Sequence, residues 1–329
     1  STNFDLREKI AEFNQSDSLR GFGAISLEVF TQSLALNAKG DCTNTSQLSL
    51  DSGTCSSIWD KTISCIQLSI EFVKTLGAQV FDFVPYPSFL AILQFYFYKS
   101  NYRAIRPEHF ELIKNWFWTA TFSTRYTSST LTKMKEDADW VLKILAGRHE
   151  QNIFPMALNL QEIKKIRIQN KSAVKNGILC LMTLKSPVDI DNGQRVVIDK
   201  SSVSRFNNKE DHHFFPSSLK TQFGVSSNET NSICNIAFIS MRLNREISNT
   251  SPSEYYYSYS RINNKINEHL HTHFITEDMI ESIKNNNYLD FKDQRAKQLL
   301  NYIRDVVSIS AVEEIPEDDV FDVGEDIGE

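Results

Sequence analysis

Residues 210–216 read Glu-Asp-His-His-Phe-Phe-Pro, and the fold assigned to the second half of the chain turns on them. Two of only seven histidines stand side by side, after two acids and before an apolar pair closed by proline. One histidine in a turn or a core needs no special reason, whereas an adjacent pair does. Downstream, residues 231–240 read N-S-I-C-N-I-A-F-I-S and residues 241–248 read M-R-L-N-R-E-I-S. Asn235 opens an apolar, strand-like run to Ile239, and Asn244 falls in a stretch with the spacing of a short helix. The order is therefore His-His on a first strand, then Asn on a second, then Asn on a helix.

The rest of the chain sets the context. With 329 residues, 41% of them hydrophobic, it is long enough for two ordinary cores. No run of about 18 apolar residues lacks a charge, so no membrane span is expected. The most apolar stretch, 76–98, is interrupted by Asp82, Pro85 and Pro87. The polar start, S-T-N-F-D-L-R-E-K-I, is not a signal peptide. Five cysteines, Cys42, Cys55, Cys65, Cys180 and Cys234, form no C-x-x-C pair. Free thiols and a cytoplasmic location are the expectation, rather than a zinc ribbon or a disulfide framework. The net charge of -6 is unevenly placed: residues 313–329 hold nine acids and no base, which leaves +3 on the body. That tail is read as a solvated end. Lys164, Lys165, Arg167, Lys171 and Lys175 cluster in one segment, either as a track for a phosphate backbone or as the polar face of a helix.

Apolar spacing predicts helices over 4–14, 25–38 and 57–76, with a polar loop at 39–56. Further helices follow Pro85-Tyr86-Pro87 to about Lys99, start at about Pro107, and cover about 130–146. The W-F-W run at 116–118 could stack on bases, but aromatic residues at helical spacing in an apolar segment are assigned to the core. Arg125 and Tyr126 are assigned to a helix end. Beyond residue 147 come a helix at about 171–184, a turn at Asp191-Asn192-Gly193, short strand-like pieces between 195 and 250, and charged helices from about 253.

Taken with H-F-F-P and the two asparagines, the constellation resembles the ββα-metal (His-Me finger, or HNH) nuclease site. Its wider setting is similar to GmrSD-type modification-dependent restriction enzymes. The residues carrying that similarity are the 231–255 segment with N-R-E-I-S-N and P-S-E-Y, together with W-D-K-T at 59–62, P-Y-P, W-F-W and F-S-T-R-Y at 122–126. The resemblance covers most of residues 1–275. It implies that His213 is the general base, that Asn235 holds the base's ring, and that His212 and Asn244 bind one Mg²⁺ or Mn²⁺. Asp211 would support an imidazole, and Arg245 is either a phosphate contact or a solvated side chain. These residue types suit the chemistry. A histidine titrating near neutrality can deprotonate water, and a divalent ion neutralises charge on a phosphodiester.

The expected fold class is α+β, predominantly α-helical. An α-helical domain at 1–150 would precede a ββα-metal nuclease domain at 151–275 and a helical extension with the acidic tail at 276–329. The expected function is metal-dependent DNA cleavage in defence against foreign, modified DNA. The alternative is a non-cutting DNA-binding or regulatory module. Members of the resembled family begin with a ParB-like nucleotide-hydrolysing domain that this sequence lacks, so the chain reads as the later part of such an architecture, with DNA and that domain as partners. His269, His271 and His273, in H-L-H-T-H, are assigned structural roles.

Overall fold

The apolar stretch that follows Pro85 and Pro87 becomes the centre of the first core. In the computed structural model, which describes residues 4–156, 158–201 and 213–307, it forms a helix at Ser88–Lys99 whose residues 88–97 are all buried. A helix that is apolar all round must be enclosed, and three others enclose this one. The helices that lie wholly within the described residues are, in chain order, α1 (Leu6–Asn14), α2 (Leu27–Lys39), α3 (Asn44–Leu48), α4 (Ser52–Thr75), α5 (Ser88–Lys99), α6 (Pro107–Phe122), α7 (Thr130–Leu145), α8 (Leu160–Lys165), α9 (Ala173–Leu184), α10 (Ser227–Thr230), α11 (Met241–Ile247), α12 (Pro252–Ser260), α13 (Ile266–His271), α14 (Ile280–Lys284) and α15 (Tyr288–Val307). Helices α2, α4 and α7 pack around α5.

Local chemistry explains where these helices begin and end. α4 starts five residues before the expected Ser57 because the Asp51 carboxylate caps it, accepting from Thr54 N at 2.8 Å. Part of the expected polar loop is therefore helical. After α4 the chain turns at Gly77, whose φ is +92°. A Cβ there would lie 2.1 Å from the carbonyl oxygen of Cys180 in α9. Glycine is what allows this close crossing. The W-F-W run is core: Trp116 meets Phe89 at 4.8 Å and Trp140 at 6.1 Å between ring centroids.

A second, smaller core gathers Ile190, Phe214, Phe215, Ala237, Ile239, Leu243, Ile247, Tyr255 and residues of α13, α14 and the start of α15. Helix α15 belongs to both cores. Tyr288 and Phe291 enter the second, while Ala296, Leu299, Leu300, Ile303 and Val307 enter the first. The segment expected as an extension thus supplies the seam of the described structure.

The protein is mostly helical, as expected. The strands are not: among the described residues there are only three isolated antiparallel bridges, Arg167 with Ser232, Val188 with Arg195, and His213 with Ile236. Asn235 ends a single 3₁₀ turn, Ile233–Asn235, rather than opening a strand. The run 236–239 nevertheless alternates as a strand would. Ile236 and Phe238 face the first core, and Ala237 and Ile239 face the second. It is an extended segment sandwiched between two cores. The fully buried guanidinium of Arg295, rather than a neighbouring strand, satisfies the carbonyls of Cys234 and Ile236, at 2.8 and 2.5 Å.

Candidate functional site

His213 is half-buried and begins the turn that delivers Phe214 and Phe215 into the second core. Its backbone bridges to Ile236, and Phe214 N donates to Asn235 O at 2.8 Å. The buried side-chain amide of Asn235 then extends this pairing. It accepts from Phe215 N at 2.8 Å and donates to Phe215 O at 3.0 Å and Thr230 O at 2.9 Å. One amide thus imitates a peptide unit of a ladder and locks the turn beside His213. Tyr255 adds a bond from its hydroxyl to Phe214 O at 2.6 Å, and Phe214 stacks on Phe291 at 5.1 Å.

These contacts reassign one role. With both amide hydrogens and its oxygen engaged on backbone, Asn235 holds the turn and not the ring. The imidazole contact belongs to Asn231, whose Oδ1 lies 2.9 Å from His213 Nε2. Nε2–H is the donor in that pair, because a carbonyl oxygen can only accept. The signal for Asn231 was present, since it opens the quoted N-S-I-C-N run, but helix α10 was needed to bring it back over His213.

Asn244 lies on α11, half-exposed between the buried anchors Leu243 and Ile247. A completely buried acid, Asp189, fixes the start of that helix. Asp189 accepts from Ser240 N at 2.7 Å and from Ser240 Oγ at 2.5 Å, while Ser240 Oγ caps Leu243 N at 3.2 Å. Arg242 compensates the buried charge, reaching Asp189 at 3.1 Å and Asp191 at 2.9 Å. Neither Asp189 nor Arg295 carried a sequence signal, because an isolated Asp or Arg looks solvated until its partners are known. Arg245 is exposed on the same helix. His212 and Asp211 lie outside the described residues, as does the acidic tail.

Much of the basic cluster is already engaged. Lys164 pairs with Asp293 at 2.7 Å and Arg167 with Glu229 at 3.3 Å, and Lys292 also reaches Glu229. Lys171 and Lys175 line an open cleft of about 710 Å³ with residues 81–87. Arg125 and Tyr126 are structural: both bind the buried Asp137, at 2.8 and 2.5 Å, and Arg125 lies 3.9 Å over the Phe154 ring. The three histidines of H-L-H-T-H hold separate partners, namely Asn263, Glu277 and the Val188 carbonyl. All five cysteines are buried free thiols. Among the described residues no helix is long and apolar enough to cross a membrane.

No family model matches the chain. It is similar to an uncharacterized protein of the archaeon Methanocaldococcus jannaschii, with 26% identity over 224 residues. The match covers 60% of this chain and 37% of that protein, so the chain spans well under half the length of the relative.

Proposed function

We propose that the protein is a metal-dependent DNA endonuclease built on the ββα-metal plan and acting against foreign, modified DNA. The observation that carries this reading is the His213 turn. A histidine of an H-x-x-P run is pinned by backbone pairing and by the Asn235 amide, and its ring is oriented by Asn231. Fixed orientation of one ring nitrogen is what a general base needs. With Nε2–H directed to Asn231 Oδ1, the neutral ring would take the proton from water as it attacks the phosphorus, and the imidazolium that results would stay paired with Asn231.

The metal requirement is the second half of the reading. Of the proposed ligands, Asn244 offers a neutral amide oxygen from a helix whose N-terminus is fixed by Asp189. The fit is to a hard divalent cation that completes its shell with water and phosphate oxygen. Mg²⁺ or Mn²⁺ held by His212 and Asn244 would neutralise the phosphate and stabilise the leaving 3′ oxygen. The products would carry a 5′ phosphate and a 3′ hydroxyl.

Conversion of supercoiled plasmid, carrying modified or unmodified bases, tests this reading. Cleavage is expected with Mg²⁺ or Mn²⁺, none with EDTA, and none by His213→Ala in any metal, with DNA binding retained. Nicking by purified His213→Ala at the wild-type rate removes the mechanism. Binding without cleavage in every metal leaves only a DNA-binding module.

A further inference from the structure

A second cluster of chemistry-bearing side chains lies in the first core's rim, on elements that the proposed nuclease site does not use. Helix α6 begins at Pro107, so Glu108 and His109 occupy its first turn. His149 follows the end of α7, just past the turn at Gly147. One ligand atom from each of Glu108, His109 and His149 can be chosen so that all three lie within 4.8 Å of one another. The His109 and His149 rings meet edge to face with centroids 5.2 Å apart.

The state of His109 sets this cluster apart from an ordinary surface group. His109 is only 3% exposed. Its Nδ1 is 2.8 Å from the Tyr96 hydroxyl, and its Nε2 is buried with no hydrogen-bond partner. A buried polar atom without a partner costs about 1–3 kcal/mol and is uncommon enough to require a reason. A metal ligand supplies one. A ligating histidine directs its other ring N–H to a fixed acceptor, which sets the tautomer and leaves the lone pair for the ion. Tyr96 is that acceptor when Nδ1 carries the proton. Glu108 and His149 are exposed, so an ion can enter from solvent. Arg106, 3.9 Å from Glu108, is itself exposed, so it can be displaced.

We propose that Glu108, His109 and His149 form a binding site for a divalent transition metal ion of the zinc class, which fastens the connector after α7 to the first turn of α6. Two imidazoles and one carboxylate suit Zn²⁺ or Co²⁺, with water in the fourth position, better than they suit Mg²⁺. The connector already has polar anchors. Trp140 Nε1 donates to Glu150 O at 2.8 Å, and Asn152 Nδ2 donates to Asp137 at 2.9 Å. The ion adds a link from this connector, through His149, to the buried nitrogen of α6 that lacks a partner.

The test uses the full chain stripped with EDTA and titrated with ZnCl₂ by calorimetry, and with CoCl₂ by visible absorption. His149→Ala is the primary variant, because His149 is exposed and its loss leaves the core intact. His212→Ala is run beside it, since the adjacent His212 and His213 could also take zinc. Wild type and His212→Ala are expected to show the same zinc site and the same tetrahedral cobalt spectrum. His149→Ala should lose the spectrum and bind zinc at least about tenfold more weakly. Zinc should raise the melting temperature of wild type but not of His149→Ala. A zinc isotherm and cobalt spectrum unchanged by His149→Ala overturn the proposal, as does a signal removed by His212→Ala alone. Neither outcome bears on plasmid cleavage, so the two readings fail separately.

Discussion

Two asparagines four positions apart carry different burdens. The Asn231 side chain bonds the ring of His213, whereas Asn235 closes three backbone hydrogen bonds in a dry turn. Asn231→Ala therefore removes an orienting acceptor and should lower plasmid cleavage by roughly 10–100-fold, the usual effect of losing a group that positions a functional histidine, with the urea midpoint little changed. Asn235→Ala leaves the Phe215 amide and two carbonyls without partners in the interior, which should cost about 3 kcal/mol or more. Urea unfolding followed beside plasmid cleavage separates the two. Equal losses of stability in both variants would show that Asn231 is structural and that the ring assignment is wrong.

At the level of elements, α15 is the piece that both cores share. Its Arg295 donates to the carbonyls of Cys234, Ile236 and His273. Burial lowers the guanidinium pKa to about 10, which still leaves it charged at neutral pH. Arg295→Met removes the donor that these carbonyls share among the described residues and should destabilise the protein by about 3–5 kcal/mol. Arg295→Lys should recover a minor part, because a point charge with three donors cannot span carbonyls placed for a planar fork. The check is the denaturant midpoint at constant slope; a midpoint unchanged in Arg295→Met would remove α15 as the clasp. This helix also shows what the sequence could and could not reveal. Helical periodicity made α1, α2, α5, α7 and α9 legible to within a few residues, as Pro107 did the start of α6. The exception was α4, where the Asp51 cap was hidden in a polar run. The extended segment 236–239 looked like a strand because its side chains do alternate. What the pattern could not reveal is that its hydrogen-bond partner is a side chain 59 residues away from Ile236. In the same way the resemblance pointed to Asn235 as a partner of His213, but as the holder of its ring rather than of the turn's backbone. The ring contact with Asn231 was not legible, since it depends on the fold of the intervening residues.

At the scale of the whole molecule, the two cores meet where His273, Arg295 and Val188 come together. His273 is buried, gives Nε2–H to Val188 O at 2.7 Å, and accepts two Arg295 bonds on its own carbonyl. Burial, with the neighbouring Arg295 and His269 adding to it, depresses its pKa to about 4 from the ordinary 6.5. The neutral ring is therefore the folded form. Above pH 6.5 folded and unfolded chains are both neutral at this residue, and it contributes no pH dependence. As the pH falls from 6.5 towards 4 the unfolded chain takes up a proton that the folded chain refuses, so stability declines. Below about 4 the folded ring also protonates and the slope from this group ends. The expected loss from His273 between pH 7 and pH 5 is about 2 kcal/mol. Carboxylates held below their usual range, such as Asp41 and Glu254, act in the opposite ionic sense: they stabilise above their unfolded pKa and lose that effect at lower pH than the window used here. His273→Gln keeps a donor towards Val188 and cannot titrate. Its stability should fall by about 2 kcal/mol less than wild type between pH 7 and pH 5. Because α15 spans both cores, fluorescence of Trp116, Trp118 and Trp140 in the first core and aromatic near-ultraviolet signals of the second should report one common transition at each pH. An identical pH slope in His273→Gln would show that this histidine is not the acid-sensitive point of the seam.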